Sequence, residues 1–235
     1  MTPVLQLFAK APVAGECKTR LIPALGAQGA AQLHERLVHH QLATAQQWLH
    51  AARAACSPTR AACSTVRVAP PTTRIELWCA PDIHHPFFAA CAQQFGVTLH
   101  TQTGPDLGAR MWLALCAALA CGERPVLTGT DCPWLNADDI SAAFAALDNA
   151  DAVYAPAHDG GYVLTGLARA VPELFANIAW GTGRVMSATR DAARRTRQPT
   201  RLALLRTLHD VDTAADLARL KADKSLTHLL EGLIK

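Results

Sequence analysis

Short runs of apolar residues alternate along the chain with longer stretches in which apolar positions recur every three or four residues. Runs of the first kind read as strands and those of the second as amphipathic helices, the alternation that a sheet built from βαβ crossovers requires. Strands are predicted at Val4–Ala9, Ile75–Cys79, Thr98–Gln102, Pro125–Gly129, Ala152–Pro156, Val163–Leu167 and Leu202–Leu205. Helices are predicted at Gln28–Ala52, Pro86–Phe95, Leu107–Ala120, Ala137–Leu147, Val185–Arg195 and Thr213–Lys221. Asn136 and Asp212 stand where N-caps belong, and Thr213 with Asp216 fits a capping box. The fold class is therefore α/β, with one mixed sheet.

Composition narrows this. Of 235 residues half are hydrophobic and 17% charged, which excludes disorder and allows a large core. A single domain over residues 1–235 is expected, decorated by an insertion at 53–74, where prolines and an approximate repeat of RAACS break the pattern. The net charge of +3 is too small and scattered to argue for nucleic acid or an anionic membrane. No apolar window is long enough to cross a bilayer, and Val4–Ala9 is too short for a signal peptide, so a cytoplasmic location is expected. The eight cysteines form no C-x2-C pair and read as reduced, and a zinc site is not expected at the His39-His40 or His84-His85 pairs.

Five segments could carry chemistry. The loop after the first strand holds Lys10, Lys18 and Arg20 around Gly15, cations suited to phosphate oxygens and a glycine that lets a backbone approach closely. Two residues separate Gly15 from Lys18, so this is no Walker A loop, and no G-x-G-x-x-G follows a strand. Asp131, in Gly129-Thr130-Asp131-Cys132-Pro133, sits at a strand's carboxyl end, where open α/β sheets bind ligands and where a carboxylate can hold Mg²⁺; a turn Asp is the plainer alternative. His158-Asp159-Gly160-Gly161-Tyr162 signals a tight turn or a backbone pressed against a ligand. Asp159 can be read as metal ligand, hydroxyl acceptor or turn former. Asp210 in HDVDT has no local structural duty and so reads as a second metal ligand. In Gly104-Pro105-Asp106-Leu107-Gly108-Ala109-Arg110, a helix start could face a nucleotide, or Asp106 could simply cap it.

Together FAKAPVAGECKTRL, LWCAPD, GPDLGARM, GTDCPWL, DGGYVLTGL, AWGTGRV and DVDTAADL resemble, in order and over residues 4 to about 220, the glycosyltransferase-A-like family known as domain of unknown function 2064. That family is also called the radical-SAM/selenodomain-associated glycosyltransferases. It is similar to nucleotide-diphospho-sugar transferases and to phospholactate and molybdenum-cofactor guanylyltransferases. The resemblance implies a Rossmann-like three-layer α/β/α sandwich with a mixed, mostly parallel sheet of about seven strands. It places Lys18 and Arg20 on nucleotide phosphates, Asp131 on a divalent metal with Asp210 or Asp212 completing its site, and Asp159, Gly160, Gly161 and Tyr162 on the acceptor side. Ala14 and Ala109 depart from the family's usual Pro and Glu, which weakens the carry-over at Arg110.

Two enzymatic readings follow. Nucleotidyl transfer would take an NTP with Mg²⁺ or Mn²⁺ and a phosphorylated small-molecule acceptor, releasing pyrophosphate, with Lys18 and Arg20 neutralising charge. Glycosyl transfer from a nucleotide-sugar would need a base such as Asp159 for the acceptor hydroxyl. The cationic loop favours the first. A non-catalytic nucleotide-binding module is the third reading, which the presence of both Asp131 and Asp210 argues against. Asp131→Asn is expected to abolish metal-dependent nucleotide binding with the fold intact, and the reading leaves room for a homodimer.

Overall fold

The structure, a computed structural model, describes residues 1–55 and 73–233. Seven strands form one sheet: β1 (Pro3–Lys10), β2 (Arg74–Ala80), β3 (Thr98–Thr101), β4 (Arg124–Gly129), β5 (Ala152–Pro156), β6 (Tyr162–Leu167) and β7 (Leu202–Leu204). Their order across the sheet is β3-β2-β1-β4-β6-β5-β7, all parallel except β6, which runs against both β4 and β5. Five helices lie between strands, α1 (Ile22–Ala55), α2 (Pro86–Phe95), α3 (Leu107–Ala120), α4 (Ala137–Ala146) and α5 (Val185–Arg195), and α6 (Ala214–Ala222) follows β7. Every predicted strand and helix is present, with ends moved by a few residues. Most of the 53–74 insertion lies outside the described residues; its flanks belong to α1 through Ala55 and to β2 from Arg74.

Helices cover both faces of the sheet, which is why the parallel strands are apolar on both sides instead of alternating with polar residues. Leu5, Leu7 and Ala9 of β1 meet Leu42 and Trp48 of α1, Phe88 of α2 and Phe144 of α4 on one face. On the other, Phe8 and Trp78 pack with Met111, Ala114 and Leu115 of α3 and with Met186 of α5. A third cluster closes the N-terminal half of α1 (Leu33, Leu37) on Leu217 and Leu220 of α6. One polar network interrupts the second face: buried Glu76 accepts from Gln6 at 3.1 Å, Trp78 at 3.0 Å and Arg74 at 2.7 Å, so its carboxylate is satisfied.

Capping chemistry sets the helix starts. Asn136 and Asp139 make a capping box on α4. Thr213, not Asp212, caps α6, reciprocally with Asp216, because the Asp212 carboxylate is bound elsewhere. Helix α1 is broken at Gly26, whose φ of 71° only glycine adopts readily, so its regular part starts close to the predicted position. The sheet's direction of growth reverses between β1 and β4, and α/β sheets hold ligands at the carboxyl ends of such strands.

Candidate active site

Lysine 18 is the centre of that crevice. The loop leaving β1 turns at Gly15 (φ 87°) and brings Lys18, itself left-handed at φ 48°, to the start of a short 3-10 turn at Thr19–Leu21. Its Nζ lies 2.8 Å from Asp131 Oδ1 and 2.8 Å from Asp212 Oδ1, and donates to the Val211 carbonyl at 2.7 Å. The Lys18 side chain is only 3% exposed, whereas the two carboxylates are 43% and 42% exposed. A further bond, from the Val211 N–H to the Asp131 carbonyl at 2.9 Å, ties the end of β4 to the 208–212 segment. Burial alone would lower the Lys18 pKa, but Asp131 and Asp212 outweigh it and hold the ammonium charged above its usual range. Burial likewise disfavours ionised Asp131, and the Lys18 ammonium reverses this, holding the carboxyl well below the usual carboxylate range.

Histidine 34 of α1, 4% exposed, lies beside the same carboxylate. Its Nε2 is 2.9 Å from the Lys10 carbonyl, an acceptor only, so that nitrogen carries the hydrogen and Nδ1 faces Asp131 Oδ1 at 3.6 Å. Asp210 makes no ion pair within 4 Å among the described residues. Burial, then the carboxylates of Asp159, Asp212 and Asp131, push its carboxyl up to about 7. The imidazoles of His158 and His209 stack with centroids 3.6 Å apart, and His158 N–H donates to the Leu208 carbonyl at 3.0 Å. This pair fastens the segment carrying Asp159 to the segment carrying Asp210.

Two adjoining cavities meet over these carboxylates. The larger, about 740 Å³, runs along the ends of β1 and β2 and is lined by Ala9, Ala80, Pro81, Gln102 and Arg110. The smaller, about 440 Å³, is lined by Arg20, Met111, Asp159, Tyr162, Trp180 and Thr182. Lys10, Glu16, His34, Leu107, Asp131, Tyr162 and Asp210 border both. Lys10 Nζ donates to the Glu16 carbonyl at 2.6 Å, and neither Lys10 nor Arg20 makes an ion pair with a described carboxylate, so both charges stay available to an anionic ligand.

The structure thus assembles Lys10, Lys18, Arg20, Asp131, Asp159, Asp210 and Asp212 around one opening, with Arg110 bordering the larger cavity and anchored to the Gly104 carbonyl at 3.1 Å. Other expected positions, apart from Gly161, which lines the smaller cavity, and Tyr162, which borders both, lie off it. Gly15 is exposed with open space around its Cα, and Asp106 caps α3 by accepting from the Ala109 N–H at 2.8 Å. Gly108 is buried beneath Trp180, so no open backbone is offered to a nucleotide there. Gly160 meets its own chain instead of a ligand: at φ 89°, a Cβ there would fall 2.1 Å from the Gly183 carbonyl oxygen. Gly161 donates to Asp159 Oδ1 at 2.8 Å, closing the turn. Gly160→Ala is expected to cost about 3 kcal/mol, since backbone strain and overpacking each contribute about 1–3 kcal/mol, and urea denaturation measures it.

His34 and Trp180 are the positions that strand-end reasoning does not find. His34 has a faint signal, a single imidazole among the apolar positions Ala30, Leu33 and Leu37 of α1. Trp180 lies in the AWGTGRV segment that carries the family resemblance, but nothing in that segment predicts its neighbours Gly108 and Tyr162, which are distant in sequence.

Residues 65–182 match the family described as "Uncharacterized protein conserved in bacteria (DUF2064)". The chain belongs to the DUF2064 family. No curated protein matches it. Among solved structures, this DUF2064 chain is similar to a candidate nucleotide-diphospho-sugar transferase from Desulfovibrio desulfuricans G20, at 27% identity over 99% of this chain and 97% of that one, with a TM-score of 0.78. CMP:2-keto-3-deoxy-manno-octonic acid synthetase complexed with CTP shares the fold at 9% identity, covering 94% and 98% of the two chains, TM-score 0.52. Rv0371c from Mycobacterium tuberculosis H37Rv, in complex with manganese, does so at 15% identity, covering 93% and 98%, TM-score 0.50. The fold is that of nucleotidyl and nucleotide-sugar transferases. Among the described residues no helix is long and apolar enough to cross a membrane.

Proposed function

We infer that this DUF2064 protein catalyses divalent-metal-dependent nucleotidyl transfer, from an NTP to a phosphorylated small-molecule acceptor, with release of pyrophosphate. The observation that carries the reading is the pair of cavities meeting over Asp131 and Asp210, an arrangement for two substrates whose reacting groups come together at the seam. The larger cavity, with backbone edges, Gln102 and Arg110, suits a nucleoside; Lys10, which borders both cavities, and Arg20, which borders the smaller, would meet its phosphates where the two cavities join. The smaller cavity suits the acceptor.

The donor set fits Mg²⁺ or Mn²⁺. Asp131, Asp159, Asp210 and Asp212 all border the smaller cavity with one buried ammonium among them, so the cluster is short of positive charge and rich in hard oxygen donors. No three described His, Cys, Asp or Glu side chains converge closely enough to hold an ion by themselves. Mg²⁺ does not require that, because it uses one or two carboxylates and completes its shell with waters and substrate phosphates. Asp131 and Asp210 would hold it, since both border the two cavities where these meet, whereas Asp212 borders only the smaller; the manganese complex of Rv0371c supports this reading. A bound ion supplies charge neutralisation on the reacting phosphates.

The step joins an acceptor phosphate oxygen to the α-phosphorus and breaks the bond to the bridging oxygen of the pyrophosphate. An acceptor phosphate is already ionised, so no base is required, and Lys10 and Arg20 stabilise charge on the departing group. Asp159 keeps glycosyl transfer as the second reading, because it borders the acceptor cavity where a hydroxyl would need deprotonation. Product analysis separates them. Incubation with each NTP, Mg²⁺ and a panel of phosphorylated acceptors is expected to release pyrophosphate, whereas release of a nucleoside diphosphate from a nucleotide-sugar would replace this reading with the second.

A further inference from the structure

The 179–184 segment is built with unusual constraint for an irregular stretch. Thr182 Oγ1 donates to the Ala179 carbonyl at 2.7 Å, and the Met186 N–H donates to the Gly160 carbonyl at 2.9 Å. Gly183 crosses Gly160 so closely that neither could carry a side chain unchanged: a Cβ on Gly183 would lie 3.0 Å from the Asp159 carbonyl oxygen. The result of these contacts is the placement of one side chain. Trp180 lies on Gly108 at the first turn of α3, where any Cβ would fall 2.3 Å from indole Cε2 and Nε1. The Tyr162 ring meets the indole edge to face, with centroids 6.2 Å apart and planes at 86°.

Trp180 is half-buried and borders only the smaller cavity, beside Met111, Val185 and Leu107, which is 47% exposed. The lining of that cavity is therefore of two unlike kinds: an indole with its apolar neighbours, and the charged side chains of Arg20, Asp159, Asp210 and Asp212. A straight-chain phosphate would satisfy the polar part and leave the apolar one wet. A ring with one flat carbon face and an oxygen-bearing edge satisfies both, since carbon-bound hydrogens and aromatic rings pack favourably on an indole.

We propose that Trp180, seated on Gly108, is the acceptor-specificity residue, and that the acceptor is a ring-bearing phosphate whose flat carbon face lies on the indole. This rests on the nucleotidyl-transfer reading for the assignment of the smaller cavity to the acceptor. A saturated sugar ring and an aromatic ring share this chemistry.

The test uses the full chain, Mg²⁺ and the α,β-methylene analogues of the four ribonucleoside triphosphates, followed calorimetrically. Glucose 1-phosphate, ribose 5-phosphate and phenyl phosphate are then titrated against the straight-chain probe glycerol 3-phosphate. A ring phosphate is expected to bind about tenfold more tightly than glycerol 3-phosphate, the scale of one aromatic contact. Trp180→Ala and Gly108→Ala are each expected to erase that difference without changing nucleotide affinity, while Trp180→Phe keeps most of it. The sugar and phenyl arms show which ring type the indole prefers. Equal affinity for ring and straight-chain phosphates, or a preference that survives Trp180→Ala, overturns the inference while leaving nucleotidyl transfer standing. Failure of every nucleotide analogue to bind with Mg²⁺ overturns the underlying reading instead.

Discussion

Lys18→Met is expected to lower the stability of the metal-free protein by about 3 kcal/mol, because breaking a buried ion pair costs about 3–5 kcal/mol and the two half-exposed carboxylates here can partly rehydrate. For a chain of this size that is a fall of about 6–12 °C in the thermal midpoint. Methionine keeps the length of the stem and removes the charge together with the bond to the Val211 carbonyl, so Asp131 and Asp212, each 2.8 Å from Nζ in the native protein, lose their shared counter-charge. Mn²⁺ is expected to restore much of the lost stability and to bind the variant more tightly than the native protein, since the carboxylates no longer share an ammonium. Thermal melts with and without Mn²⁺, and manganese titration by electron paramagnetic resonance, read both effects. The sequence places Lys18 on the nucleotide phosphates; were that its only role, the variant would melt normally and lose only nucleotide affinity. The geometry gives it a structural duty as well, holding the loop after β1 against the end of β4 and the 208–212 segment.

Asp131→Asn is expected to reduce Mg²⁺-dependent nucleotide affinity by at least about 100-fold, the upper range for disturbing a metal's surroundings without removing a ligand. Weak, metal-independent binding through Lys10 and Arg20 is expected to survive. The sequence alone leads one to expect an intact fold in this variant, but Lys18 loses one of its two counter-charges, and a loss of about 1–2 kcal/mol follows, smaller than for Lys18→Met because Asp212 remains. Calorimetric titration of the NTP with and without Mg²⁺, alongside a melt, measures both effects. Undiminished metal-dependent affinity would remove Asp131 from the metal site.

The stable parts of this protein are written locally. Short apolar runs and a recurrence every three to four residues, both bounded by turn residues, tell strands buried on two faces from helices buried on one, and the seven strands and six helices follow from that pattern. Strand-end position then points to Asp131, and the cation-rich loop to Lys10 and Arg20, because an α/β sheet delivers its loops to one edge whatever their sequence. What the tertiary structure alone decided are the pairings between distant residues. Lys18 finds Asp212 across 194 positions, His34 comes under Asp131 from within an apolar helix, Gly108 is a seat for Trp180, and Gly160 makes room for Gly183. A side chain's charge or size is a local property, but whether a lysine meets phosphate or carboxylate, and whether a glycine meets ligand or backbone, depends on contacts that exist only after the segments have packed.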